Sequence, residues 1–216
     1  MAGGLVLLAG AAAADSIVPI EEEPQHRLQF QNQHVRMFDV LLPPGYNSLW
    51  HVHVYDGVFV NIEPAPTREQ VLSAEPADRR PRIIGETYFF AYAKKPKVHR
   101  VSNTGDTAFH VTDTEILRGC GGFAAVKDGE GQTLILENER VRVTRIMIGP
   151  GERMLLHPPC GMLVSVSAGQ IKVNAAGGEE QLRLQPAGFK WRDQSTSLEI
   201  VNAGSEVFHA VDIVVK

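Results

Sequence analysis

The chain has 216 residues, enough for one large domain or two small ones. A hydrophobic share of 44% with 20 Gly and 13 Pro describes a turn-rich globular chain and excludes disordered and collagen-like classes. Net charge is −4, and no cluster of Lys and Arg interleaved with aromatics occurs, which excludes nucleic acid as an expected partner. Residues 1–14 form an apolar run ending in small residues. It resembles the second half of a secretory signal peptide and is too short for stable membrane insertion, although no Lys or Arg precedes it. The expected location is periplasmic or secreted, otherwise cytoplasmic.

From residue 32 onward the sequence repeats itself. Asn32-Gln33-His34-Val35-Arg36, Pro44-Gly45 and His51 return as Asn138-Glu139-Arg140-Val141-Arg142, Pro150-Gly151 and His157, all displaced by 106 positions. Val101-Ser102-Asn103-Thr104-Gly105 with Phe109-His110 returns as Val201-Asn202-Ala203-Gly204 with Phe208-His209, anchored on the Asn and Gly at a spacing of 99. Within each copy apolar residues alternate, as in Val35 to Val40 and Val141 to Ile146, and β-branched residues dominate. Close turns at Pro43-Pro44-Gly45, Asn103-Thr104-Gly105-Asp106, Gly149-Pro150-Gly151 and Asn202-Ala203-Gly204 separate these runs. Short strands joined by tight turns predict an all-β sandwich or barrel. The stretch Pro64 to Pro81 lacks alternation and reads as a long loop or short helix inserted in the first copy, either over a pocket mouth or as a surface excursion.

Alternation places His51 and His53 on one face of a strand, a chelating pair if that face is a barrel interior. The sequence Gly45, five residues, His51-Val52-His53 resembles the first half of the first motif of the cupin superfamily. His99-Arg100-Val101-Ser102-Asn103 is similar to the ending of the second cupin motif. The resemblance covers nearly the whole chain after residue 25, twice over. It implies two tandem cupin-type double-stranded β-helix (jelly-roll) barrels, the first over 25–118 and the second over 134–216, joined by a linker at 119–133.

The resemblance also implies a metal site of His51, His53 and His99 in the first barrel. The family's Glu ligand is missing, since Gly57 and Val58 stand where it would fall, and Asp56 reads as a turn residue. Three neutral imidazoles suit a divalent transition metal; Fe(II) is favoured, with Mn, Cu, Ni or Zn as alternatives. The three-histidine cupins include thiol dioxygenases and a diketone-cleaving dioxygenase, so the expected function is a metal-dependent oxidoreductase acting on a small molecule. The alternatives are a non-catalytic small-molecule or metal-binding protein and a metal-dependent lyase or isomerase.

In the second copy Pro159 replaces the second histidine, and no imidazole stands near Leu198 and Glu199, so that barrel is expected to be structural. His110 and His209, at matching places in both copies, read as packing or hydrogen-bonding residues, and His26 and His34 as surface residues at the pocket edge. Tyr88, Phe90 and Tyr92 share a strand face and read as core packing or a pocket wall; Trp50 and Tyr55 lie near the site in sequence. Cys120 and Cys160 fit a disulfide or two separate thiols equally. Pairing through exposed sheet edges would give a homodimer.

Overall fold

The structure is a computed structural model that describes residues 16–123, 129–156, 160–175, 177–193 and 197–216. The apolar segment before residue 15 and the pair His157 and Pro159 lie outside the described residues. The first half contains β1 (Val18–Pro19), β2 (His26–Gln31), β3 (Val35–Leu42), β4 (His51–His53), β5 (Asp56–Glu63), β6 (Thr67–Val71), β7 (Ala77–Asp78), β8 (Thr87–Phe90), β9 (Lys97–Asn103) and β10 (Phe109–Ile116). The second contains β11 (Gln132–Glu137), β12 (Val141–Ile148), β13 (Arg153–Leu156), β14 (Gly161–Ser165), β15 (Gly169–Ala175), β16 (Gly178–Leu184), β17 (Phe189–Arg192), β18 (Leu198–Asn202) and β19 (Phe208–Val215). Among the described residues the helical content is one short 3-10 turn, Ile20–Glu22, and no helix is long and apolar enough to cross a membrane.

The expected all-β architecture of two jelly-roll barrels is present. The first barrel faces one sheet of order β1-β4-β9-β6-β7 against another of order β2-β3-β10-β5-β8. The second repeats the plan with β13-β18-β15-β16 against β11-β12-β19-β14-β17. Burial follows the strand period of two. Phe38, Val40 and Leu42 of β3 point into the first barrel with Phe59, Val101, Phe109 and Val111, while Val35 and Met37 point out and meet the second barrel.

That outer face carries the contact between the barrels. Val35, Met37, Val58 and Val60 pack with Val141, Val143, Met162, Val164, Val211 and Ile213. Burial of each such side chain contributes roughly 1.5–3 kcal/mol. This explains why β5 is buried on both faces: one face lines a barrel and the other seals the joint. Among the described residues, ion pairs between the halves join Asp56 to Arg140 at 3.1 Å and Lys94 to Glu139 at 2.6 Å. Cys120 and Cys160 form a disulfide with Cα atoms 6.1 Å apart, which decides between the two readings of the cysteines.

The repeat has a structural signature at its two asparagines. The Asn103 side chain donates to the carbonyls of Leu42 and Thr107, both at 2.8 Å, and accepts from the Gly105 amide at 3.0 Å. Asn202 repeats this, donating to Ile148 and Glu206 at 2.8 and 2.7 Å and accepting from Gly204 at 2.9 Å. Each asparagine closes its turn and ties it to the neighbouring strand.

The insertion between Pro64 and Pro81 is neither a helix nor a plain loop. It contains the hairpin β6–β7, and β6 pairs antiparallel with β9 over Thr67↔Asn103 to Val71↔His99. Backbone pairing to β9 recruits the segment despite its lack of apolar alternation, and this brings Glu69 and Arg79 to the first barrel's interior.

Candidate metal centre

His51 and His53 lie on β4 with both side chains buried. β4 runs antiparallel to β9 in a register that sets His51 directly opposite His99. The ring centres of His51, His53 and His99 are 4.6 to 5.1 Å apart. The three sequence-predicted residues therefore converge on one pocket, as alternation along two neighbouring strands requires.

A fourth histidine joins them. His26 opens β2 opposite Val40, an inward-facing residue of β3, so its ring also enters the barrel. It is 9% exposed, and its ring centre is 4.6 Å from that of His51. His26, His51 and His53 present nitrogen atoms within 4.8 Å of one another, a group able to hold a metal ion. This corrects the surface reading of His26. His34, by contrast, does lie outside the pocket, with Nδ1 near the Arg118 carbonyl at 3.2 Å.

At Gly57, one of the two positions where the Glu of the motif would fall, a side chain would require its neighbours to shift. Gly57 faces the barrel interior, where a Cβ would meet Asp113 Oδ1 and the Phe59 ring at 2.9 Å. Asp56 is also no ligand, and the turn reading is corrected: it starts β5, accepts from the Ala93 amide at 3.0 Å and pairs with Arg140.

Three of the four histidines donate Nδ1 to an oxygen. His51 donates to the Leu49 carbonyl at 2.9 Å, His26 to Glu23 Oε2 at 2.6 Å and His99 to Glu69 Oε1, while His53 Nδ1 lies 3.5 Å from Asp113 Oδ2 and has no hydrogen-bond partner. The three hydrogen bonds fix ring orientation and tautomer in His26, His51 and His99, leaving their Nε2 atoms for a metal. The Nε2 atoms of His51 and His99 are buried and have no hydrogen-bond partner. Buried nitrogens without partners are costly, and a cation at this point would satisfy them. The residues fit a divalent metal on that ground.

Electrostatics agree. Burial, followed by the neighbouring imidazoles, lowers the pKa of His51 to about 3, and burial lowers that of His99 to about 4. His53 is pushed well below the ordinary histidine value by the same causes. These rings are neutral at neutral pH, the state that ligates a metal. Burial alone would raise Glu23, but its bond to His26 overrides this and holds the carboxyl at about 2. Behind His53, burial and then Glu115 push Asp113 well above the usual carboxylate range, and Glu115 itself is bonded to Arg36.

Apart from the Arg79 guanidinium, the rest of the pocket is aromatic and aliphatic. Phe59, Tyr88, Phe90 and Tyr92 form a wall in which neighbouring ring centres lie 5.2 to 5.6 Å apart, and the enclosed room is about 30 Å³. The Tyr88, Phe90 and Tyr92 face is thus pocket wall and core at once. Trp50 lies under Arg100, and Tyr55 is 38% exposed beside Arg36; neither lines this pocket.

The second barrel is filled with Ile146, Ile148, Leu163, Ile171, Ile200 and Phe208 where the first has histidines and aromatics. His110 lies against Asp39, whereas the Nε2 of its counterpart His209 is buried without a partner. Hydrogen bonding explains the first of these and packing the second.

Sequence comparison finds no matching family model and no matching curated protein. Solved structures do match in fold. AerE from Microcystis aeruginosa aligns over 90% of this chain and 98% of its own, with a TM-score of 0.60 and 9% identity. An oxalate decarboxylase of Bacillus subtilis aligns over 85% of this chain and 69% of its own, with a TM-score of 0.57 and 12% identity. YhaK from Escherichia coli covers 87% of this chain and 90% of its own, with a TM-score of 0.54 and 14% identity. The fold is that of the two-barrel cupins, with one histidine-lined barrel.

Proposed function

We propose that the first barrel is a metal-dependent catalytic centre for a small molecule, of the oxidoreductase type with a dioxygenase as the favoured form. The observation that carries this reading is the convergence of four buried imidazoles, two of them with unpartnered Nε2 atoms, at an aromatic-walled pocket. His51, His53 and His99 would hold the metal with His26 beside them, and Fe(II) is favoured over Mn, Cu, Ni or Zn. A bound divalent metal of this kind supplies Lewis acidity and, for iron, one-electron chemistry with dioxygen.

The chain's own residues set the conditions. Glu23, Glu69 and the Leu49 carbonyl hold three rings in place, and a fixed ring orientation confines where substrate atoms can stand. Phe59, Phe90 and Tyr92 exclude water, which strengthens every electrostatic interaction inside. The Cys120–Cys160 disulfide supports residence in an oxidising compartment, as expected of a periplasmic or secreted protein.

A second reading, a non-catalytic metal or ligand binder, is favoured by His26, because four imidazoles leave fewer open positions than three. Oxygen uptake and carbon dioxide release by the metal-loaded protein, measured with small chelating acids, thiols and diketones, separate the readings. Turnover lost in His53→Ala with folding intact supports the enzyme; carbon dioxide release without oxygen uptake moves it to a lyase; binding without turnover leaves the binder.

A further inference from the structure

We propose that the two cysteines at the joint between the barrels form, with His34, a second metal site that exists only when their disulfide is reduced, and that this site takes Zn(II). It is separate from the histidine cluster of the first barrel and does not depend on the metal-centre reading.

Three ligating atoms already stand together. A ring nitrogen of His34 and the sulfurs of Cys120 and Cys160 lie within 4.8 Å of one another. His34 comes from the turn before β3, Cys120 from the segment after β10, and Cys160 from the position just before β14. The Asn32 side chain fixes the turn by accepting from the amides of His34 and Val35 at 2.8 and 2.9 Å. The His34 carbonyl accepts from the Leu117 and Arg118 amides at 2.8 and 3.1 Å, and the Cys160 carbonyl from the Val215 amide at 3.0 Å. The Trp191 ring stacks on the imidazole with ring centres 6.1 Å apart. None of these contacts passes through the disulfide, so the three side chains stay together once it opens. The imidazole itself contacts the Arg118 carbonyl and the Gln33 amide at 3.2 and 3.1 Å, both at the exposed surface, and one of these yields to the metal.

Reduction supplies the ligands. A dithiol reductant gives two electrons and two protons to the Cys120–Cys160 bond, becomes a disulfide itself, and leaves two thiols. Zn(II) then displaces the two thiol protons and forms two Zn–S bonds and one Zn–N bond. Tetrahedral Zn–S bonds of about 2.3 Å set the sulfurs further apart than a disulfide does. With Cα atoms 6.1 Å apart, rotation about the cysteine side-chain bonds provides that separation.

Charge and burial select the metal. Cys120 and Cys160 are 8% and 1% exposed and belong to the apolar cluster of Val35, Ile116, Val141 and Val215. Two thiolates and a neutral imidazole cancel the double charge of Zn(II), whereas Cu(I) would leave a net negative charge in that apolar surrounding. Mg and Ca prefer oxygen donors to thiolates. His34 is half-buried, which opens the fourth tetrahedral position to water.

The test titrates Co(II), a coloured stand-in for Zn(II), into the full-length protein before and after anaerobic reduction. The reductant is a water-soluble phosphine, which ends as the phosphine oxide with its oxygen from water and adds no thiol. The expected result is a thiolate-to-cobalt charge-transfer band that saturates at one equivalent in the reduced protein, is absent from the oxidised protein, and is bleached by Zn(II). A site made of histidines alone gives no such band, so uptake by the first barrel does not register. His34→Ala is expected to weaken Co(II) binding at least about tenfold, the lower end of what even an outer-shell partner of a metal costs. His110→Ala, a histidine held by Asp39, should leave it unchanged. Zn(II) should also raise the melting temperature of the reduced parent and raise that of reduced His34→Ala less. Should His34→Ala not fold, His34→Asn keeps a donor for the Arg118 carbonyl without a metal ligand and is expected to show the same loss. A reduced protein without the band, equal Co(II) affinity in the folded His34 variant, or a bridge that the phosphine does not open in the folded protein overturns the proposal.

Discussion

Asp113 and Asp212 occupy the same position in the two barrels, but Asp212 meets the Arg192 guanidinium at 2.9 and 3.2 Å while Asp113 faces the Nδ1 of His53 at 3.5 Å. The difference originates one strand away. Gly57 pairs with Phe90 in the first barrel, and its counterpart Gly161 pairs with Arg192 in the second. The second copy thus neutralises its buried aspartate with an arginine, and the first leaves it beside the histidine cluster.

Unequal stability effects follow for the two aspartates' surroundings. Arg192→Met strands Asp212 in the interior and is expected to cost about 3–5 kcal/mol, as for other broken buried pairs. Asp113→Asn removes a carboxyl that burial already holds neutral, and its stability should stay within about 1 kcal/mol of the parent. Urea unfolding of both variants checks this; equal losses would show that Asp113 is ionised and paired.

The turn asparagines offer a paired test of the duplication. Asn103→Ala removes two donors from strand-end carbonyls and one acceptor from an amide. About 2–4 kcal/mol should be lost, since buried groups left unpaired carry their full desolvation cost. Asn202→Ala removes the equivalent three bonds and is expected to match it within about 1 kcal/mol. Thermal melting of the two variants side by side measures the difference.

The metal-free protein should lose stability as pH falls below the ordinary histidine value. His51 and His99 titrate at about 3 and 4 when folded but near 6.5 when unfolded. The unfolded chain therefore binds more protons in that window, and stability rises with pH across it. Glu23, at about 2 rather than its ordinary 4.5, adds a further loss as pH falls from 4.5 towards 2. Asp113, raised by burial, slopes the other way. The diagnostic is the variant difference: between pH 6.5 and 4 the melting-temperature slope should flatten in His51→Gln and steepen in Asp113→Asn. Identical slopes in the parent and His51→Gln would contradict the assignment.

The sequence made the barrels legible because strand alternation and turn chemistry are local, and because the duplication presented them twice. His51 and His53 were legible by parity and His99 by its spacing to Asn103. His26 was not, because its inward aim depends on the pairing of β2 with β3, which shifts register between Leu28 and Phe30. Glu69 and Arg79 were hidden for a related reason. Their segment has no apolar alternation, and only backbone pairing with β9 turns it into a hairpin at the site. The missing Glu was visible in sequence, but the approach of Asp113 and Phe59 to Gly57 is a property of packing.

The most direct measurement is metal content of the purified protein and of protein reconstituted with Fe(II), Mn, Cu, Ni and Zn, alongside a His51→Ala, His53→Ala double variant and His26→Ala, with circular dichroism on each. The account predicts near-stoichiometric metal in the parent, none in the double variant, and retained but weaker binding in His26→Ala, all with native β-sheet spectra. A parent that takes up no metal under any of these conditions, or a double variant that binds as well as the parent, would contradict it.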